Sequence, residues 1–315
     1  MKTTTGPRSQ LVIGTRGSQL ALWQAEWVKS QILGVDQNLQ VTLQRIQTSG
    51  DKIQDVPLAK IGGKGLFVKE IEEALLNGSI DLAVHSMKDV PSMLPDGLTI
   101  ICVPEREDPR DAFLGHEGVT LQHLPRGAKI GTSSLRRQSQ LLHYRHDLRI
   151  EVLRGNLDTR LRKLQEGRFD AILLAGAGLK RLGWDRHVTE YLGVDICLPA
   201  IGQGALGLEG RADDMFVREL VARFEHLPTR RAVDAERAFL SRLEGGCQVP
   251  IAGHATLCGD TVTLEGLVVS LDGKRYVRRC QSGAEKDAES LGVRLAEQLL
   301  DEGAAPILQE IYGTA

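Results

Sequence analysis

The sharpest chemical signal in the chain is Gly131-Thr-Ser-Ser-Leu-Arg-Arg137. A strand ends there, a Gly-Thr-Ser-Ser turn follows, and a helix begins with two adjacent arginines in its first turn. Free backbone N–H groups, hydroxyls and the positive end of a helix together make an anion site. Arginine in that position opposes the helix dipole, so the pair needs a reason, and a bound carboxylate or phosphate supplies one. The plainer alternative is a Ser/Thr cap with two solvated arginines. A P-loop is excluded, because G-x-x-x-x-G-K-[ST] does not occur.

Basic residues continue beyond this motif. Residues 136–168 hold eight arginines and one lysine against four acids, in a chain of net charge −2. Arg154 follows an expected strand, Arg160 lies on the next helix, and Arg16 follows the first strand of the chain. Open α/β sheets present ligand groups at the C-terminal ends of strands, and the arginine fork binds carboxylates bidentately. The pattern points to a polyanionic small ligand. A solvated basic face or a nucleic-acid patch is the alternative, and an aromatic content of 4% counts against the latter.

Three further stretches could do chemistry. His85-Ser-Met-Lys-Asp-Val-Pro91 follows an apolar strand, which sets Lys88 and Asp89 at a strand end over the expected cleft. An aspartate there holds N–H donors and stabilises a developing cation, or moves a proton. A Lys–Asp surface pair competes with that role, and His85 by itself reads as structural. Gly62-Gly-Lys-Gly-Leu-Phe67 closes a loop that starts at Thr48. It could grip phosphate or serve as a hinge; a mobile lid carrying Lys60, Lys64 and Phe67 is preferred. Glu244-Gly-Gly-Cys-Gln-Val-Pro250 sets Cys247 in a loop between a helix and a strand. Such a thiol is open to covalent chemistry, and an idle loop cysteine is the alternative.

These residues need elements to hold them. Leu11 to Gly14 reads as a buried strand, and Ser18 caps a helix running to about Leu33. A strand at 40–47, a helix at 66–76 and strands at 80–84 and 98–103 follow. Around Pro104 to Arg110 the texture changes to a charged crossover, and the pattern then restarts. Lys129 to Gly131 is a strand end, with helices at 134–146 and 156–166 and strands at 149–153 and 169–174. A second crossing at Leu198 to Gly204 returns the chain to the first lobe. Alternation of this kind predicts an α/β protein of two lobes, each a mostly parallel sheet, with a ligand cleft between them. The last segment changes character: a Thr-capped helix from Thr229 to Leu243, then strands at 254–258, 261–270 and 276–280, with Asp272-Gly273 as a hairpin turn. A final helix carries Leu291, Leu295 and Leu299, completing a small C-terminal α+β domain. The expected boundaries are 1–104 with 200–222, 105–199, and 223–315.

Composition narrows the classes. A chain of 315 residues that is 42% hydrophobic and 25% charged is ordinary for a globular protein of two or three domains. The near-neutral charge argues against coating nucleic acid, and no apolar run is long enough to span a membrane. A polar start without a secretory core suggests a cytoplasmic protein. The five cysteines are scattered and form no C-x-x-C pair, so neither a disulfide framework nor a zinc site is expected, and most should be buried.

Taken together, these stretches resemble the porphobilinogen deaminase family, also called hydroxymethylbilane synthases. The matching segments are residues 14–24, 62–67, 85–91, 105–113 (Glu-Arg-Glu-Asp-Pro-Arg-Asp-Ala-Phe), 131–137, 153–156 (Leu-Arg-Gly-Asn), 177–182 and 244–250, all in family order. The resemblance implies three domains, the first two like the lobes of periplasmic binding proteins. It implies an enzyme that joins four porphobilinogen molecules head to tail with loss of ammonia, after which water frees hydroxymethylbilane for tetrapyrrole synthesis. It also implies a dipyrromethane cofactor held by a thioether, here at Cys247, and a catalytic aspartate, here Asp89. Lys88, Ser18, Thr132 and Ser134 fall on cofactor-contacting positions. The arginines that hold acetate and propionate groups map onto Arg16, Arg136, Arg137, Arg154, Arg160 and Arg181. No metal is implied, and the family suggests a monomer without nucleic-acid or membrane partners. The rivals are a non-catalytic two-lobed binder of an organic anion, which would not need Asp89 or a modified Cys247, and a nucleic-acid binder.

Overall fold

A computed structural model describes residues 8–52, 68–243 and 249–313. It builds two five-stranded sheets and a three-stranded one. The first sheet contains β1 (Gln10–Thr15), β2 (Gln40–Arg45), β3 (Leu82–Ser86), β4 (Leu98–Cys102) and β10 (Leu206–Arg211) in the order β2-β1-β3-β10-β4. The second contains β5 (Asp111–Gly115), β6 (Lys129–Gly131), β7 (Arg149–Glu151), β8 (Ala171–Ala175) and β9 (Glu190–Tyr191) in the order β7-β6-β8-β5-β9. In each sheet the antiparallel member, β10 or β5, is the strand that follows a crossover. Each sheet is mostly parallel, as expected, and its one antiparallel strand is set by a crossing.

Alternation along the strands sets two buried faces per sheet. Leu82 and Val84 of β3 pack with Ala25, Val28 and Ile32 of α1 (Gln19–Val35) and with Val217 and Val221 of α6 (Met215–Val221). Ala83 faces the other way, onto Ile71 and Leu75 of α2 (Lys69–Leu76). In the second lobe Phe113 and Leu173 meet Leu141 of α3 (Leu135–Tyr144). Ala112, Leu114 and Leu174 meet Leu164 of α4 (Leu157–Gln165) and Leu179 of α5 (Gly176–Arg181).

The third unit packs α7 (Leu227–Arg242) and α8 (Ala288–Leu299) on the antiparallel strands β11 (Ile251–Cys258), β12 (Thr261–Val269) and β13 (Tyr276–Ala284), with α9 (Ala305–Tyr312) closing the end. The predicted Thr229 cap is not one: α7 starts two residues earlier, with Pro228 in its first turn, and Thr229 accepts from Arg106 N instead. The Asp272-Gly273 turn touches the second lobe. Gly273, at φ +75°, lies against the backbone of His143, whose imidazole Nδ1 is 2.8 Å from Gly273 O and stacks on Tyr276. Cys102 and Cys197 are buried as expected, but Cys258 and Cys280 sit exposed on β11 and β13. No helix among the described residues is long and apolar enough to cross a membrane.

The two crossovers run against each other. Glu107 N donates to Gly204 O at 3.2 Å, and Gly204 has φ +89° with its missing Cβ position 2.3 Å from Glu107 O. Only glycine meets both demands. Gly204→Ala should therefore lower stability by about 1–3 kcal/mol in urea unfolding. Gly34→Ala, on α1 with nothing within 4 Å, should be neutral or stabilising; equal effects of the two would remove the crossover contact as the cause.

Candidate active site

The first lobe supplies the floor of a cleft. Chain leaving β1 places Arg16, and Ser18 caps α1 by accepting from Ala21 N at 3.3 Å. One helical turn on, the buried Gln24 donates to Ser86 Oγ at 3.0 Å. Beyond β3, Met87–Asp89 form a single 3-10 turn pinned by Met87 N to Ala205 O at 3.0 Å. Arg16, Ser18, Gln24, His85, Ser86 and Asp89 line one cleft as a result. From behind, Arg237 of α7 donates to Val90 O at 3.2 Å and Pro91 O at 2.7 Å. The helix that leads into the Cys247 loop is thereby tied to the residues following Asp89.

The second lobe supplies the opposite wall, and its organiser is Asp111, fully buried on β5. Arg136 Nη1 reaches Asp111 Oδ2 at 2.7 Å and Nη2 reaches Oδ1 at 3.2 Å, while Arg137 Nε and Nη2 reach Oδ1 at 2.9 and 2.7 Å. Gln203 Nε2 adds a bond at 3.0 Å, and the Cys197 thiol one at 3.2 Å. Burial alone would raise the Asp111 carboxyl; the two guanidinium groups overcome that and hold it well below the usual range. The same burial and Asp111 pushes the Cys197 thiol up to about 12, which makes it inert. The turn before α3 is knitted locally, with Ser134 N donating to Thr132 Oγ1 at 3.1 Å and Arg137 N to Ser134 Oγ at 3.4 Å.

One anion that the two arginines at this helix start meet is the protein's own Asp111 carboxylate. This corrects the picture of Arg136 and Arg137 as an open pair. Arg136 is 4% exposed and spends Nη1 on Asp111 and on Leu198 O at 2.7 Å. Arg137 is likewise buried and also donates to Leu173 O at 3.0 Å.

Across the cleft the remaining cations crowd one another. Burial pushes the Lys88 ammonium down to about 8; Asp89 opposes this and Arg137 adds to it. Burial, then repulsion from Arg137 and Arg154, brings Arg160 down to about 10, with Asp89 opposing. Burial brings Arg181 to about 10 against the pull of Glu107, while its Nη2 donates to Gly204 O at 2.6 Å. Arg160 is steadied by a 2.7 Å bond from Nε to Gly155 O. Residues of both lobes, Lys88 and Asp89 from one and Arg137, Arg154 and Arg160 from the other, thus share one electrostatic neighbourhood. Among the described residues, Lys88 and Arg160 are depressed by burial and by neighbouring cations, a state that a ligand bearing several carboxylates relieves.

Several anticipated site residues, Lys60, Lys64, Phe67 and Cys247, lie outside the described residues. Asp111, Gln24, Gln203 and Arg237 were not anticipated. Asp111 sits inside the Glu-Arg-Glu-Asp-Pro-Arg-Asp-Ala-Phe segment, so the motif was visible while its partners, 25 and 26 residues on, were not.

Two family models match the chain: porphobilinogen deaminase, dipyromethane cofactor binding domain, over residues 11–219, and porphobilinogen deaminase, C-terminal domain, over residues 231–301. A porphobilinogen deaminase of Geobacter sulfurreducens is 60% identical over 304 residues, covering 96% of this chain and 95% of the relative. That of Nitratidesulfovibrio vulgaris is 59% identical over 310 residues, covering 97% and 98%. Among solved structures, the periplasmic aliphatic sulphonate binding protein of Escherichia coli is 16% identical at a TM-score of 0.40, covering 75% of this chain and 71% of that one. A likeness that distant carries no argument about the site.

The charge cluster makes a direct prediction. Asp111→Asn strands two buried guanidinium groups and should cost about 3–5 kcal/mol in urea unfolding at pH 7. Because the folded carboxyl titrates below its ordinary value of 3.8, its contribution is complete above that pH and fades as pH falls below it. The gap between wild type and variant should therefore narrow on acidification towards pH 2; a gap independent of pH would show that charge is not the cause.

Proposed function

The chain belongs to the porphobilinogen deaminase family, and on that footing we propose how its own residues divide the work of the deaminating condensation. Four porphobilinogen units are joined head to tail with loss of ammonia, and water releases hydroxymethylbilane for tetrapyrrole synthesis. The observation that carries the assignment of roles is that Asp89, on the cleft wall it shares with Arg16, Ser18 and His85, acts on Lys88 and Arg160, two cations that burial depresses.

The residues fit a dipyrromethane group. Its carboxylate side chains would lie against Lys88, Arg137, Arg154 and Arg160, where added negative charge restores the depressed Lys88 and Arg160. When bound, the group supplies a nucleophilic pyrrole carbon. Arg16 and Arg181 take the carboxylates of incoming substrate, and Ser18, Thr132 and Ser134 edge the same site with hydroxyls. Arg136 acts through Asp111, holding Arg137 in place. Asp89 accepts the pyrrole N–H groups and stabilises the substrate methylene carbon as it becomes cationic on loss of ammonia. The same carboxylate can take the proton that the new carbon–carbon bond displaces.

Cys247 is the attachment point by the same reasoning, through a thioether. Its loop joins α7, anchored behind Asp89 by Arg237, to β11. Lys60, Lys64 and Phe67 belong to a lid over the cleft. The domains are 1–104 with 200–222, 105–199 and 223–315, each with a sheet of its own. The protein works as a cytoplasmic monomer on a small molecule, without nucleic-acid or membrane partners.

Intact mass of the denatured protein, with peptide mapping, tests the assignment. After addition of porphobilinogen the Cys247 peptide should carry two deaminated porphobilinogen units; a peptide that stays unmodified would return the chain to an anion-binding role. Asp89→Ala should fold and lose turnover by at least about 100-fold, and substantial retained activity would overturn its role.

A further inference from the structure

Behind the cleft floor lies a second layer of charge. His85 of β3 and Glu209 of β10 are both buried, with Nε2 2.8 Å from Oε2. Gly207 is the register partner of His85, so Glu209 lies two residues along on the same face of the sheet. Glu72 of α2 is buried beside them. Among the described residues Glu72 Oε1 receives no hydrogen bond, and the imidazole of His85 is the ion-pair partner of Glu209. Burial and a neighbouring carboxylate both disfavour charge on Glu72. Burial first, then the charge of Glu209, pushes Glu72 up to about 6, with His85 opposing. Arg16 and Asp89 share the cleft wall with His85, and Arg237 of α7 feels Glu209 from the other side.

We propose that Glu72, His85 and Glu209 form a buried carboxylate layer that positions the Ser86–Asp89 turn and sets ionisable negative charge behind Asp89, opposite the substrate carbon that becomes cationic. The positioning follows from the strand. His85 precedes Ser86, which is bonded to Gln24, and Met87, which is bonded to Ala205. An imidazole held by Glu209 fixes the root of that turn. The electrostatic role follows from the leaving group, and it rests on the deaminase assignment above. When the C–N bond of the substrate ammonium breaks, its electron pair leaves on ammonia and the positive charge passes to the methylene carbon and its pyrrole ring. With Glu72 ionised, the layer carries one more negative charge than with it protonated. Turnover should therefore be supported above about pH 6, where Glu72 is ionised, and fall as pH drops through that value.

The test measures kcat and KM of the holoenzyme from pH 5 to 8, beside the carboxyl titration by NMR of glutamate-labelled protein. Wild type should show a step in kcat near pH 6 with KM little changed. Glu72→Gln should lack that step and run roughly tenfold slower at pH 7.5, while Glu72→Asp restores part of it. A carboxyl resonance titrating near 6 should be absent from Glu72→Gln and should move towards 4.5 in Glu209→Gln. An unchanged kcat step in Glu72→Gln, or the absence of any glutamate titrating above pH 5, overturns the proposal. A loss confined to thermal stability, without a change in the pH profile, does so too. Should wild type consume no porphobilinogen, the deaminase assignment falls and the catalytic role of the layer falls with it. Wild type that turns over normally while the variants keep its profile removes the layer alone.

Discussion

One buried carboxylate joins the parts of this protein. Glu236 of α7 receives both guanidinium donors of Arg106, at 2.6 and 3.1 Å, from the first crossover. It also accepts Gly202 N at 2.6 Å from the second crossover and Ala255 N at 2.8 Å from β11. Arg106 Nε completes the knot by donating to Gln203 O at 2.8 Å. Both chain crossings between the two lobes pass this point, and the third unit holds it. A carboxylate of zero exposure is tolerable only because its oxygens are filled by a paired cation and backbone donors. Truncating either partner would leave a charge with no solvent, so the hinge stands or falls as a unit.

From that knot the cleft inherits its geometry. Gln203, one residue beyond Gly202, carries its side chain to Asp111, and Asp111 holds Arg136 and Arg137. The wall of the second lobe is thus referenced to the same crossover that brings β10, with Glu209, into the first sheet. A shift between lobes would have to pivot where glycine backbones, at Gly202 and Gly204, already adopt positive φ.

Charge in the molecule is sorted by depth. Of three carboxylates with no exposure among the described residues, Glu236 and Asp111 are matched by arginines, while Glu209 faces the imidazole of His85. The cleft proper holds an excess of cations that burial has weakened, and Asp89 stands among them. Stability favours pairing and function favours the imbalance, so the two kinds of arginine look alike in sequence while their surroundings differ.

Much of this was written in the chain. Strand–helix alternation, the charged Pro104 to Arg110 stretch and the Gly-Gln-Gly crossing announced two lobes, because hydrophobic periodicity is a local property. The motifs around Lys88, Asp89 and Arg137 announced an anion site, because their residue types have few other uses at strand ends. Three strands escaped notice, β5, the two-residue β9 and β10. β10, Leu-Gly-Leu-Glu-Gly-Arg, carries two glycines and a glutamate, and reads as a turn until the sheet buries it on both faces. β5, Asp-Ala-Phe-Leu-Gly, hides behind the charge of the crossover. Which arginine would meet a ligand and which would meet Asp111 was likewise undetermined. The sequence by itself determined the elements, the motif chemistry and the family. Only the tertiary structure decided which charges are paired, since pairing depends on strands and crossovers far apart in the chain meeting in a medium that cannot solvate an unmatched ion.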